Sequence, residues 1–126
     1  MADLYKKKLL IFDLDGVIFD SKKNMEVAWN ETSKKFNLNI PFFKYFKNIG
    51  LPFSEILKSL NIEPKYEIYK CFKDTSLKKM SLIKPYKDII KKLKFLKKNK
   101  IKFSIVTSKD LQRTKFLLKK YKIQPN

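Results

Sequence analysis

The chain has 126 residues, which is enough for one domain with a hydrophobic core and marginal for two. Its composition is 44% hydrophobic and 14% aromatic, which excludes a disordered chain, and it holds neither an apolar run as long as a membrane span nor a predicted signal peptide. The formal net charge of +18 would attract polyanions, but Arg113 is the only arginine, and arginine is the usual residue for bidentate recognition of bases and phosphates.

The lysines are spread along the predicted helices, so we interpret most of them as solvated helix surface and expect no specific nucleic-acid partner and no membrane partner. Cys71 is the only cysteine and cannot form an internal disulfide. It lies between Tyr69 and Phe72 in a helical pattern, which predicts a half-buried core thiol. A reducing, cytoplasmic compartment fits this cysteine content.

The first predicted element follows a short polar lead-in, Met1 to Lys8. Leu9–Phe12 is continuously apolar, which predicts a strand buried on both faces. The strand stops at Asp13 and Asp15, and Gly16 then allows a tight turn. Ligands of open α/β sheets bind at the carboxyl ends of strands, and two carboxylates placed there repel each other. The pattern therefore favours a site for a metal ion and a phosphoryl group, with an ordinary Asp-Gly turn as the alternative.

The stretch from Ser21 to about Ser81 is predicted to be helical throughout, with no strand signal. Ser21 is the predicted N-cap of its first helix. Apolar or small residues then recur at helical spacing: Met25, Ala28, Trp29, Thr32 and Phe36. We interpret Trp29 and the aromatic residues of this stretch as a helical core.

The rest of the chain alternates between helix and strand. Ile83–Tyr86 is a predicted extended connector, because the residue before a proline avoids the helical region. An amphipathic helix is predicted from Tyr86, Ile89, Ile90, Leu93 and Leu96. A strand is predicted over Ile101–Val106, followed by a helix that Asp110 or Ser108 could cap. The last helix carries Leu111, Thr114, Leu117, Leu118 and Tyr121. This order favours a parallel α/β sheet with a helical insertion.

Thr107 and Ser108 follow the second predicted strand, as Asp13 and Asp15 follow the first. If the strands are parallel neighbours, all four residues share one edge of the sheet. Hydroxyls and free amides before a helix N-terminus can hold phosphate oxygens, whereas a Thr-Ser pair by itself usually caps a helix. The matching position of the two aspartates favours the phosphate site.

Two of these segments carry a resemblance to a known family. Phe12–Ser21 and Ile105–Lys109 resemble the first and second motifs of the haloacid dehalogenase superfamily of phosphohydrolases, in the branch with phosphoglycolate phosphatases and β-phosphoglucomutases. Ile83–Tyr86 resembles the connector where the chain re-enters the core, and Gly50–Pro52 resembles a cap-loop feature. The resemblance implies an α/β fold with an incomplete Rossmann-like parallel sheet of about two strands in residues 1–20 and 82–126. It also implies an all-helical cap inserted at residues 21–81.

The resemblance further implies a role for each residue of the site. Asp13 would be the nucleophile that forms an aspartyl-phosphate, and Asp15 the general acid/base. Mg²⁺ would be held by the Asp13 carboxylate and the Asp15 backbone carbonyl. Thr107 and the Ser108 amide would hold the transferring oxygens. Lys109 is a candidate phosphate-binding residue that could stand in for the family's later lysine, with a position merely flanking the second motif as the alternative. The implied substrate is a small phosphorylated metabolite.

The sequence also departs from the family pattern. The lysine motif and the acidic metal-ligand motif that follow later strands in the family have no match, and Asp110 is the only acid after Ser108. We therefore expect an N-terminal portion of such an enzyme, with little or no phosphatase activity and a sheet edge open to self-association. A phosphosugar mutase, a non-catalytic module with the same fold and a weak, salt-sensitive polyanion binder remain as alternative interpretations.

Overall fold

A computed structural model of the chain describes residues 8–126, so the predicted lead-in, apart from Lys8, lies outside the described residues. This part of the chain contains four short strands: β1 (Leu9–Phe12), β2 (Phe19–Asp20), β3 (Lys84–Pro85) and β4 (Lys102–Ile105). Its α-helices are α1 (Lys22–Lys35), α2 (Phe42–Phe46), α3 (Phe53–Ser59), α4 (Tyr66–Lys78), α5 (Ile89–Lys98) and α6 (Leu111–Lys120), and a 3₁₀-helix covers Met80–Leu82. None of the helices within residues 8–126 is long and apolar enough to cross a membrane.

The described residues divide into two compact units. The core unit contains residues 8–20 and 85–126, and the helical unit contains Ser21–Lys84. The predicted fold class, an α/β protein with a short parallel sheet and several helices, is confirmed.

The sheet of the core unit pairs strands from near the two ends of the chain. β1 and β4 run parallel, with Leu9 opposite Lys102 and Phe12 opposite Ile105. The rings of Phe12 and Phe103 meet edge-to-face with centroids 6.0 Å apart, and Phe103 is almost fully buried. One face of the sheet is therefore part of the hydrophobic core.

The other face of β1 is exposed, so the prediction that β1 is buried on both faces was wrong. Leu9 is 53% exposed and Ile11 is 63% exposed, while Leu10 and Phe12 are half-buried. On that face the neighbours of Leu9 and Ile11 in β4 are Lys102 and Ser104, so β4 adds no apolar cover there. A continuous apolar run predicts a strand, but cover on both faces must come from other elements.

The last two helices differ slightly from the predicted ones. α5 begins at Ile89 and not at Tyr86. Asp88 has a φ of 64°, and a residue in this left-handed conformation cannot be part of a right-handed helix, so the helix starts after it. In α6 the core-facing residues include Thr114 and Leu117, whereas Leu111 is 66% exposed in the first turn. Tyr86, which lies before α5, donates its amide to the Ile18 carbonyl in a hydrogen bond of 3.0 Å.

The helical unit is built around α1, which packs chiefly against α4. Residues Ser21 to Ser81 form helices and loops without a strand, and an isolated bridge joins Ile49 and Leu51. The unit has one buried cluster, formed by Met25, Ala28, Trp29, Tyr45, Ile56, Leu57, Ile68 and Phe72. Trp29 is fully buried and stacks on Tyr45 at 4.6 Å between ring centroids. The aromatic residues thus form a core, as the sequence predicts.

Cys71 is half-buried in α4, as predicted from the helical pattern. The hydroxyl of Thr32 donates to its Sγ atom at 3.6 Å. This contact joins α1 to α4 and gives the thiol a packing role.

Candidate active site

The candidate site begins where β1 and β4 end. The Val106 amide donates to the Phe12 carbonyl at 2.9 Å, which extends the parallel pairing by one bond beyond β4. Asp13 follows Phe12, and Thr107 follows Val106. Because the two strands are parallel, both motifs leave the sheet at the same edge.

The first motif is a tight turn anchored by a buried leucine. Leu14 is fully buried, and its carbonyl accepts hydrogen bonds from the amides of Ile18 at 2.9 Å and Phe19 at 3.0 Å. Gly16 has a φ of +81°, which a residue with a side chain adopts only with strain, and its amide donates to the Phe19 carbonyl at 2.9 Å. This turn fixes the backbone that carries Asp13 and Asp15.

The two aspartates occupy different environments. Asp13 is exposed, and its Oδ1 atom accepts the Leu14 amide at 2.6 Å. Asp15 is half-buried, and its Oδ2 atom lies 3.2 Å from the Nζ atom of Lys109. The side chain of Lys109 is only 2% exposed and that of Asp15 is 13% exposed. The structure therefore brings together one residue from each motif as a buried ion pair.

Burial and the nearby Asp15 carboxylate shift the pKa of Lys109 in opposite directions. Burial lowers the pKa of the Lys109 ammonium group below its ordinary value, and this is the largest effect. The nearby Asp15 carboxylate raises that pKa, while the positive charge of Arg113 lowers it. The net direction is down, so the ion pair compensates only partly for the loss of water around the ammonium group.

The second motif leads directly into α6. Thr107 is half-buried, and its hydroxyl oxygen accepts the Lys109 amide at 3.1 Å. Ser108 is exposed at the same edge. Of the two predicted caps, Asp110 is the N-cap of α6, and its Oδ1 atom accepts the Arg113 amide at 2.9 Å. This arrangement leaves the side chain of Ser108 beside the N-terminus of a ten-residue helix.

Sequence reasoning missed Arg113 as a part of this region. Its guanidinium group is buried and pairs with the Asp110 carboxylate within the first turn of α6. Two features of the sequence could have indicated its role. Arg113 is the only arginine, and it lies three residues after Asp110, a spacing at which two helical side chains can pair. Carboxylates and cations thus alternate at this edge, in the order Asp15, Lys109, Asp110 and Arg113.

The metal-ligating capacity of the site is small. No group of three or more His, Cys, Asp or Glu residues that could hold a metal ion occurs within residues 8–126. The oxygen ligands that the family resemblance implies are the Asp13 carboxylate, which belongs to an exposed residue, and the Asp15 backbone carbonyl. Mg²⁺ often uses one or two protein carboxylates and completes its shell with water and substrate phosphate oxygens. The donor set therefore fits Mg²⁺ in type.

Comparison with known proteins connects this site to a family. The family model for haloacid dehalogenase-like hydrolases matches residues 10–125. Among curated proteins, none is similar enough in sequence to count as a match.

Solved structures share the fold at low sequence identity. A hydrolase from Pseudomonas syringae is 24% identical with a TM-score of 0.83, and the alignment covers 94% of this chain and 57% of that one. A predicted phosphoglycolate phosphatase from Haemophilus somnus is 20% identical with a TM-score of 0.66, covering 94% and 59%. A candidate β-phosphoglucomutase from Thermotoga maritima is 22% identical with a TM-score of 0.59, covering 90% and 58%.

The chain therefore spans less than three-fifths of the length of each of these three structures. The family model, in contrast, covers nearly all of the chain, including both motifs at the sheet edge. Together with the parallel pairing of the two motif-bearing strands, this match shows that the chain belongs to the haloacid dehalogenase-like hydrolase family.

Proposed function

We propose that the core unit carries the nucleophile and the phosphate-binding residues of a phosphatase that acts on small phosphorylated metabolites. The observation that supports this most is the hydrogen bond from the Val106 amide to the Phe12 carbonyl. It joins the strand ends from which Asp13 and Thr107 depart, so that a carboxylate and a hydroxyl serve one phosphoryl group.

In the proposed reaction an oxygen of the Asp13 carboxylate attacks phosphorus, and the bond from phosphorus to the leaving oxygen breaks. Asp15, which has to be protonated when the substrate is bound, donates that proton to the leaving oxygen, and its carboxylate then takes a proton from the attacking water. The water oxygen bonds to phosphorus, and the Asp13 carboxylate and inorganic phosphate are released. Thr107 and the Ser108 amide hold the non-bridging oxygens through both steps.

Mg²⁺ is the proposed cofactor. The Asp13 carboxylate and the Asp15 backbone carbonyl would hold it, because both are hard oxygen ligands at the exposed edge of the sheet. When bound, the ion neutralises negative charge on the phosphoryl oxygens. The small donor set supports a further proposal, that the 126-residue chain by itself binds Mg²⁺ weakly and turns over substrate slowly or not at all.

A phosphosugar mutase is the second candidate, since one structural relative carries a mutase name. A mutase uses the same aspartyl-phosphate and returns the phosphoryl group to a sugar hydroxyl. The two candidates differ in the acceptor, so phosphatase activity that persists without any sugar favours the first. A non-catalytic module with this fold would leave Asp13 unreactive toward a phosphoryl mimic.

Beryllium fluoride tests the proposal without requiring turnover, because it forms an adduct with the carboxylate that would be phosphorylated. With Mg²⁺ present, we expect ¹⁹F NMR to show a protein-bound signal for the wild-type chain and no such signal for Asp13→Asn. Asp88→Asn is the matched control, since Asp88 is an exposed aspartate of the core unit outside the site.

Hydrolysis of p-nitrophenyl phosphate is measured beside the adduct. Any turnover should require Mg²⁺ and should disappear in Asp13→Asn. An adduct that forms equally well with Asp13→Asn, or no adduct at any Mg²⁺ concentration, contradicts the proposed function.

A further inference from the structure

The buried ammonium group of Lys109 is unusual for this chain. The sequence has thirty lysines and arginines, and the side chain of Lys109 is only 2% exposed. Lysine is almost never fully buried unless a partner stabilises its charge. Here the partner is Asp15, at 3.2 Å, which comes from the other motif of the site.

The backbone of Lys109 is held on both sides. Its amide donates to the Thr107 hydroxyl oxygen at 3.1 Å, and its carbonyl accepts the Thr114 hydroxyl at 3.5 Å. Thr114 is itself buried on α6. The start of the Lys109 side chain is therefore fixed relative to the second motif and to the first turn of α6.

Arg113 is the other buried cation near this edge, and its guanidinium group pairs with Asp110. Asp110 is also engaged by the Arg113 amide as the N-cap of α6. Lys109 contacts the Asp15 carboxylate, whereas Arg113 contacts the Asp110 carboxylate three residues before it.

We propose that Lys109 is a positioning residue that holds the Asp15 side chain away from Asp13, and that it is not a phosphate ligand. The proposal rests on the proposed function in one respect, since it takes Asp15 to be the acid/base. Its structural basis is the difference between the two aspartates: Asp15 is half-buried and ion-paired, whereas Asp13 is exposed at the same edge. Lys109 thereby gives two neighbouring carboxylates separate tasks.

A phosphate ligand and a positioning residue respond differently to substitution. Removing a phosphate ligand weakens phosphate binding and leaves Asp15 as it was. Removing a positioning residue changes the rotamer and surroundings of Asp15 and leaves phosphate binding largely intact. Lys109→Met keeps most of the aliphatic side chain and removes the charge. Lys109→Gln also removes the charge and is measured in parallel, so that the test does not depend on one variant folding.

Lys109→Arg is the conservative variant, and Lys115→Met is the matched control because Lys115 is an exposed lysine of α6. Two quantities are measured on the full 126-residue chain. The ¹³C shift of the Asp15 carboxylate and the three-bond couplings of its side chain report its rotamer. The shifts of the Gly16 and Ser108 amides report the affinity for inorganic phosphate in the presence of Mg²⁺.

We expect Lys109→Met and Lys109→Gln to shift the Asp15 carboxylate signal and average its couplings, with phosphate affinity changed less than twofold. Lys109→Arg should restore the wild-type couplings, and Lys115→Met should change nothing. Unchanged Asp15 signals in Lys109→Met, or a tenfold loss of phosphate affinity, overturn the proposal. If the wild-type chain binds no phosphate, the proposed function fails, and the Asp15 signals alone then decide whether Lys109 positions Asp15.

Discussion

Asn24 and Ser76 form a reciprocal pair of buried hydrogen bonds between α1 and α4. The Ser76 hydroxyl donates to Asn24 Oδ1 at 2.7 Å, and Asn24 Nδ2 donates to the Ser76 carbonyl at 3.0 Å. The same Nδ2 atom donates to the Lys79 carbonyl at 2.9 Å, just beyond the end of α4. Both side chains are fully buried, so the amide group of Asn24 supplies hydrogen bonds to carbonyls at the C-terminal end of α4 from inside the helical unit.

Asn24→Ala should lower the free energy of unfolding of the helical unit by about 2–4 kcal/mol, since it removes three buried or part-buried hydrogen bonds of the Asn24 amide, to the Ser76 hydroxyl, the Ser76 carbonyl and the Lys79 carbonyl. Urea denaturation followed by the fluorescence of Trp29, the only tryptophan, measures this change. Asn30→Ala is the control, because Asn30 is exposed on the same helix and its loss should cost under about 0.5 kcal/mol. Equal losses for both variants would contradict the structural role of Asn24.

The two partners of the Asp15–Lys109 pair should differ in their effect on stability. Asp15→Ala leaves a buried ammonium group unpaired and should cost about 3 kcal/mol. Lys109→Met removes the buried ammonium group itself and leaves a carboxylate that is more exposed than Lys109, so its cost should be the smaller of the two. Chemical denaturation at neutral pH measures both values. If Lys109→Met lowers the free energy of unfolding more than Asp15→Ala does, burial of the ammonium group is not the main cost that the ion pair offsets.

The pair also predicts a pH dependence. Burial lowers the pKa of Lys109 in the folded chain, so between that pKa and the value of 10.5 in the unfolded chain the unfolded state binds the extra proton. The contribution of Lys109 to the free energy of unfolding therefore rises with pH in this window and is smallest below it. The free energy of unfolding of the wild type should therefore increase relative to that of Lys109→Met as the pH approaches 10. A difference that is flat over this range would contradict the lowered pKa.

Asp110 should matter to α6 through two interactions, its cap to the Arg113 amide and its pairing with the Arg113 side chain. Asp110→Ala should therefore destabilise the core unit by about 2–3 kcal/mol, more than the loss of a helix cap alone. Gln112→Ala, an exposed change in the same turn, is the control. Hydrogen exchange at the amides of α6 measures the local effect, and protection that survives Asp110→Ala would contradict it.

The exposed face of β1 predicts self-association. Leu9, Ile11 and Val106 are each more than half exposed, and within residues 8–126 β1 is paired on one side only. We expect the weight-average mass in sedimentation to rise with concentration, more so at high salt because the net charge of +18 opposes contact between copies. Ile11→Lys should abolish the rise, whereas Lys91→Ala on the exposed surface of α5 should not. A wild-type chain that stays monomeric at all concentrations contradicts the prediction.

The sequence was sufficient to locate most of the elements and the residues that share the sheet edge, but it did not predict the two-residue strands β2 and β3. Apolar runs and helical spacing located β1, β4 and the helices, and Asp-x-Asp-Gly and Thr-Ser marked the strand ends. It could not show which faces are covered, because the exposure of Leu9 and Ile11 depends on what else packs on the sheet. Ser21 occupies the predicted N-cap position of α1, but its side chain makes no capping hydrogen bond.

Long-range polar contacts were also beyond the sequence. Asn24 and Ser76 are ordinary polar residues in helical patterns, and their pairing arises only when α1 packs on α4. The burial of Lys109 likewise depends on the closeness of two strand ends that are far apart in the chain. Composition indicates solvated lysines in general, and a buried lysine such as Lys109 is recognised only from three-dimensional contacts.

The pairing of Leu9 with Lys102 has a consequence for biosynthesis. A ribosome releases β1 early, and the strand has to wait for β4 while the helical residues between them emerge and pack locally. During that wait the nascent chain displays an unpaired, apolar strand, which is the kind of segment that chaperones protect. The sheet edge that carries Asp13 and Thr107 thus forms only after the helical residues have been synthesised, and slow translation would lengthen the period in which β1 can aggregate.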